Sequence, residues 1–173
     1  MGAAPHILDD VLPTGLRAVI CGTAAGTTSA ARSAYYAGPS NRFWGVLQQV
    51  GLTSNKLAPE EFRTLPRFGL GLTDIAKAVS GADATILRDD YDVPAFAASI
   101  RHCFPAIVAF NGKKAASVFY GIPTAELGYG EGKEIPEFPR IFVLPSTSGA
   151  AAKHWDLKWW QEFARLVLND GES

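Results

Sequence analysis

Apolar residues along this chain gather into four short runs, and between the runs they recur at helical spacing. Residues 17–21 (Arg-Ala-Val-Ile-Cys) form a nearly continuous apolar stretch that stops at Gly22, as expected of a strand covered on both faces. Residues 106–110 (Ala-Ile-Val-Ala-Phe) and 140–144 (Arg-Ile-Phe-Val-Leu) repeat that pattern, and residues 70–75 make a weaker version interrupted by Gly71 and Thr73. Residues 41–50 place Trp44, Leu47 and Val50 near one side of a helix that Gly51 ends, and Pro59 opens a second short helix through Phe62. A helix over 93–104 carries Phe96, Ile100 and Phe104 on one side, and another follows over 112–120. Residues 121–139, rich in Gly, Pro and Glu, read as a long loop. Residues 155–168 close the chain as an amphipathic helix with Trp159, Trp160, Phe163, Leu166 and Val167 on its apolar side. This order predicts one α/β domain over residues 1–173, a three-layer α/β/α sandwich around a central, mainly parallel four-stranded sheet.

Composition narrows the picture without changing it. With 173 residues, 47% hydrophobic and 19% charged, the chain can fill one core of ordinary size. Cys21 and Cys103 lie in apolar surroundings with no metal-ligand spacing, so they read as buried thiols in a reducing compartment. No zinc site, iron–sulfur cluster or other cofactor is expected. The first ten residues lack the basic stretch and apolar run of a secretory signal, and no segment has the length to span a bilayer. The expectation is a cytoplasmic monomer with no membrane partner. A formal net charge of −1 argues against a broad cationic surface for nucleic acid. It still leaves room for a small footprint built from local basic residues and backbone N–H groups.

The candidate chemistry lies in two loops set far apart. Gly22-Thr23-Ala24-Ala25-Gly26 follows the first strand, and Pro145-Ser146-Thr147-Ser148-Gly149 follows the last. Each joins an apolar run to small residues, which is how a parallel sheet presents binding loops at the carboxyl ends of its strands. Between them, residues 35–44 (Tyr-Tyr-Ala-Gly-Pro-Ser-Asn-Arg-Phe-Trp) put aromatics, a turn and an Asn-Arg pair into one segment. The first loop lacks the Walker-A lysine and the full dinucleotide fingerprint, which weakens the alternative of a phosphate- or nucleotide-binding α/β enzyme.

Four segments in one order, residues 16–22, 37–44, 110–113 and 144–149, resemble the uracil-DNA glycosylase superfamily. They are most like its mismatch-specific uracil/thymine branch, with features of its hypoxanthine branch, and the likeness runs over nearly the whole chain. It implies a monofunctional glycosylase that flips a damaged base out of single- or double-stranded DNA and hydrolyses the N-glycosidic bond, using no metal. It implies that the backbone around Gly22, Thr23, Ala24 and Gly26 holds the base, that Tyr36 stacks on it, and that Asn111 reads its edge. Ser146, Thr147, Ser148 and Gly149, with Lys153 and His154, are implied to contact the DNA backbone. Mismatch-specific relatives carry an asparagine that positions the attacking water where this chain has Ala24, whose methyl group cannot do so. The catalytic role then passes to Asn41, as the hypoxanthine branch implies, or to Asp74 at the end of the second strand, which can orient water or stabilise positive charge on the sugar. Ala24 also leaves open a catalytically weak, lesion-sensing nucleic-acid-binding protein. Plainer readings stand beside these: Tyr36 as a core aromatic, Asn111 and Asp74 as turn or cap residues, Arg42 as a brace for a carboxylate, and His154 as the polar start of the last helix. Ala150, Ala151 and Ala152 follow where relatives insert bulkier side chains into the gap left by the flipped nucleotide, which predicts weak dependence on the opposite base.

Overall fold

A computed structural model describes residues 5–169 of the chain. The four apolar runs form β1 (Ala18–Gly22), β2 (Leu70–Asp74), β3 (Ile107–Asn111) and, last in the chain, β5 (Arg140–Leu144). They are mutually parallel, and a short β4 (Gly130–Glu131) joins the edge antiparallel to β5, giving the order β2-β1-β3-β5-β4. The sheet thus has five strands where four were expected. Two residues are too few to carry an alternation pattern, and β4 exists because Gly130 and Glu131 find Val143 and Phe142 as partners across the edge. Residues 121–139 also hold a 3-10 turn at Thr124–Glu126.

Burial on both faces explains why the strand sequences are continuously apolar. Along β1, Ala18 and Ile20 enter one core cluster while Val19 and Cys21 enter the other, the two-residue period of a strand. On the first side lie α2 (Phe43–Gln49), a 3-10 helix at Pro59–Phe68 and α5 (Leu157–Asn169), through Phe43, Trp44, Leu47, Phe62, Trp160 and Phe163. On the second lie α3 (Val93–Cys103) and α4 (Lys113–Tyr120), through Phe96, Ile100, Ala115 and Ala116. This is the expected three-layer sandwich. The thiols of Cys21 and Cys103 are both buried and unpaired.

Helix boundaries depart from the pattern where caps intervene. α3 starts at Val93 as expected, capped by Asp92, whose carboxylate accepts the Ala95 N–H at 3.0 Å, and it ends one residue early. Phe104, expected on the apolar side, is instead a left-handed cap and 54% exposed. The final helix begins at Leu157 rather than 155, because Gly149–His154 form a separate 3-10 segment. Besides short 3-10 segments, one α-helix among the described residues was not foreseen, α1 (Thr27–Arg32), a short turn of small residues after the first loop. No helix among the described residues is long and apolar enough to cross a membrane.

Candidate active site

Gly22, Asp74, Asn111 and Leu144 stand at the carboxyl ends of four neighbouring parallel strands, and Gly22 pairs in register with Asp74 while Asn111 pairs with Leu144. Parallel sheets place binding crevices at this edge. Gly22 is the centre. A side-chain carbon added there would come within 2.6 Å of Asp74 Oδ1 and 3.0 Å of the Tyr36 hydroxyl, so only glycine lets these two groups close over the end of β1.

Asp74 is 6% exposed. Burial pushes its carboxyl up to about 7; the Lys77 ammonium opposes the rise, and the Asp10 and Asp83 carboxylates add to it. The residue is neither a cap nor a turn, since it ends a strand and points into the interior. Near neutrality it therefore exists in both protonation states. Lys77 is held close by Asp10, at 2.6 Å, and by the Thr73 hydroxyl.

Tyr36 sits in the left-handed region at φ 52°. Non-glycine residues rarely adopt this conformation, and the neighbours over-determine it. The Trp44 indole donates to the Tyr35 carbonyl, the Ala37 N–H donates to the Ser29 hydroxyl, and Arg32 donates to the Ala37 carbonyl, each at 2.9–3.0 Å. The ring lies 4.1 Å from that of Phe43 at 30°. Its hydroxyl is buried without a hydrogen-bond partner. Burial first, and the Asp74 carboxylate second, push this phenol well above its ordinary value, against a smaller pull from the Asn111 amide. That amide lies near, but not at hydrogen-bonding geometry. Tyr36 is thus a half-buried residue with a polar tip turned inward, between the core aromatic and the loop residue that the sequence left open.

Asn111 is buried and braces the last loop. Its Nδ2 donates to the Thr147 hydroxyl and its Oδ1 accepts the Thr147 N–H, both at 3.0 Å. One N–H and one lone pair of the amide are left over. Thr147 faces inward and is fully buried, with its hydroxyl and its N–H both engaged by Asn111. Ser146 and Ser148 are half-buried, and the Ser148 hydroxyl caps the following 3-10 segment by accepting the Ala150 N–H at 3.3 Å.

The 38–42 turn joins the crevice through this last loop. The Arg42 N–H donates to the Thr147 carbonyl at 2.9 Å, and Gly149 abuts Ser40 so closely that an added carbon would meet its Oγ at 2.5 Å. Asn41 precedes α2 and its Oδ1 accepts the Phe43 N–H at 3.0 Å, leaving a second lone pair and the NH2 group free of that bond. Arg42 lies over the Trp155 ring at 5.3 Å, with one terminal nitrogen buried and unpartnered, so it does not brace a carboxylate through that atom. Phe43 and Trp44 are core residues. A circuit results, in which Tyr36, Phe43, Asn41, Arg42, Thr147 and Asn111 follow one another and Asn111 returns to the neighbourhood of Tyr36, with Gly22 and Asp74 joined to it at the Tyr36 hydroxyl.

In the first loop, the carbonyls of Gly22, Thr23 and Ala25 accept the N–H groups of Ile75, Ala76 and Gly81. The Thr23 hydroxyl donates to Asp83 at 2.5 Å, which ties it to the neighbouring loop. Ala24 is half-buried and Gly26 exposed. Lys153 and His154 are exposed in the 3-10 segment after Gly149 and outside the circuit, and His154 precedes the last helix rather than starting it. Ser29, Arg32 and the indole N–H of Trp160, which donates to the Pro145 carbonyl at 3.0 Å, escaped the sequence reading. They position site loops from behind, and only the long-range contacts reveal them.

Residues 10–165 match the family model of the uracil DNA glycosylase superfamily. The fold resembles the solution structure of a protein from Methanosarcina acetivorans, provisionally described as a uracil DNA glycosylase, with a TM-score of 0.60 and 21% identity over 95% of this chain and 96% of that one.

Proposed function

This chain belongs to the uracil DNA glycosylase superfamily, and on that premise we propose that it is a monofunctional DNA glycosylase that removes uracil, with hypoxanthine and xanthine as competing substrates, and leaves an abasic site. The observation that carries the reading is the convergence of Tyr36, Asp74 and Asn111 around the bare Gly22, with Asn41 on the adjoining turn. Cleaving the bond builds positive charge on the sugar and negative charge on the departing base, so the site needs donors to that base and a held water. Flipping costs a few kcal/mol, less for a mispaired base, and the pocket recovers this by stacking and by hydrogen bonds to the base edge.

In this mechanism the free lone pair of Asn41 Oδ1 accepts a hydrogen bond from the attacking water, which keeps its proton at this stage, and aims its oxygen at the anomeric carbon. The water oxygen bonds to that carbon, the electrons of the C–N bond leave with the base, and a water proton ends on the base. Asp74, ionised, stabilises the cationic sugar; the spare N–H and lone pair of Asn111 face the base edge. Release of base from oligonucleotides carrying uracil, hypoxanthine, xanthine or thymine opposite guanine tests the reading and ranks the substrates. Asn41→Ala is expected to slow release about a hundredfold or more while the protein stays folded. Near-normal turnover of that variant assigns the water to Asp74.

A second reading, a lesion sensor that binds without turnover, is favoured by the methyl group of Ala24. The same assay separates the two, since a sensor retains lesion-bearing DNA and releases no base.

A further inference from the structure

Beside the crevice, at the edge-strand end of the sheet, two neighbouring aromatic rings are flanked by two lysines. Lys113, the first residue of α4, holds its Nζ 4.5 Å from the centre of the Tyr129 ring. The Tyr129 ring lies 6.2 Å from that of Trp159 on the first turn of α5, and Lys158 Nζ stands 4.7 Å from the Trp159 ring. Gly130 makes the assembly possible: an added carbon would meet Trp159 Cζ3 at 2.9 Å, so a bare backbone at β4 is what lets the indole lie against the sheet edge. Both rings are half-buried and keep part of their surface in solvent, and Lys158 is exposed. Among the described residues neither lysine has a carboxylate partner, whereas the nearby Glu131 and Glu162 are taken by Arg140 and Arg165. The row starts two residues after Asn111, and β4 lies two strand spacings, roughly 10 Å, from β3.

We propose that Lys113, Tyr129, Trp159 and Lys158 form a track for single-stranded DNA running away from the base pocket, a proposal that rests on the glycosylase reading of that pocket. Aromatic faces take successive bases irrespective of sequence, and cations beside them follow the phosphates. In the free protein each ammonium group lies on a ring and shields it. A bound strand lets the lysines move to phosphates while bases take the vacated ring faces, and stacking a base is worth more than an exposed cation–π contact. The charge of the row excludes a basic partner, and its planar rings suit bases rather than an acidic peptide. The track also accounts for the small residues at 150–152: a strand held by stacking on one side needs no bulky side chain to hold a duplex apart.

The test is fluorescence anisotropy with a labelled, lesion-free oligothymidine of about fifteen nucleotides and the matching blunt duplex. Wild type is expected to prefer the single strand. Trp159→Ala and Lys158→Glu should each weaken single-strand binding about tenfold and leave duplex binding nearly unchanged. Lys158→Glu should also flatten the salt dependence of log K by roughly 0.7. In excision assays both variants should raise KM on single strands with kcat unchanged. Thermal unfolding checks the variants; Lys158 is exposed, and Trp159→Phe serves if Trp159→Ala does not fold. Unchanged single-strand affinity in Lys158→Glu, or equal losses on strand and duplex, overturns the track. Wild type that excises bases with no Trp159 or Lys158 dependence defeats the track alone. Trp159-dependent strand binding without base release from any lesion defeats the glycosylase reading alone.

Discussion

At the scale of single residues, Asp74 carries the sharpest consequence. Its carboxyl is raised from an ordinary value of 3.8 to about 7 by burial, so the folded protein holds a proton that the unfolded chain has released between those values. Stability linked to Asp74 is therefore fully present below pH 3.8 and is lost as pH rises through 7. The span corresponds to up to about 4 kcal/mol. Asp74→Asn removes the term, so urea denaturation from pH 4 to 8 should find the variant gaining on wild type as pH rises, with most of the gain complete just above neutrality. Parallel stability profiles for the two proteins would contradict burial as the cause. Asn41 acts differently. It is half-buried and its one bond is a local cap, so its loss should cost turnover and little stability.

At the scale of elements, the site depends on loops held against each other. The 38–42 turn and the 146–149 loop touch through Ser40 and Gly149, where an added carbon would stand 2.5 Å from Ser40 Oγ and 3.3 Å from its carbonyl oxygen. Gly149→Ala should push Asn41 off its position and cut excision at least tenfold, with a stability loss of about 1–3 kcal/mol measured by chemical denaturation. Asp92→Ala is the matching control on a helix outside the circuit. Losing the α3 cap should destabilise the protein by about 1 kcal/mol and leave excision unaltered. If both variants lowered excision alike, global stability rather than loop placement would govern the site. The tryptophans of α2 and α5 belong to this scale too, because Trp44 and Trp160 fill the core and also hold the carbonyls of Tyr35 and Pro145.

At the scale of the whole molecule, the segment after Gly149 has, under the proposed glycosylase reading, little with which to fill the gap of a flipped nucleotide. Ala150 and Ala152 are exposed, and neither can fill a vacated base position nor hydrogen-bond the opposite base through its side chain. With enzyme saturating, so that differences in affinity drop out, excision of uracil should then differ little between U·G pairs, U·A pairs and single strands, compared by single-turnover kinetics. A large preference for U·G with slow product release would mean that the 149–154 segment grips the duplex in another way. The chain's apolar runs were sufficient to determine the four parallel strands, since strands buried on both faces write their burial into consecutive residues. The motif order was likewise sufficient to determine the superfamily, now matched over residues 10–165. Tertiary structure alone decided the rest. The two-residue β4 has no local signal and exists through its partner on β5. The Thr147 hydroxyl finds its partner only in Asn111, 36 residues away in sequence. Asp74 is an ordinary carboxylate in the sequence and becomes one poised near neutrality only because Gly22, on a different strand, leaves it a buried place to stand. Composition and periodicity record whether a residue is buried, whereas hydrogen-bond partners and electrostatic surroundings belong to pairs of residues that only the folded chain brings together.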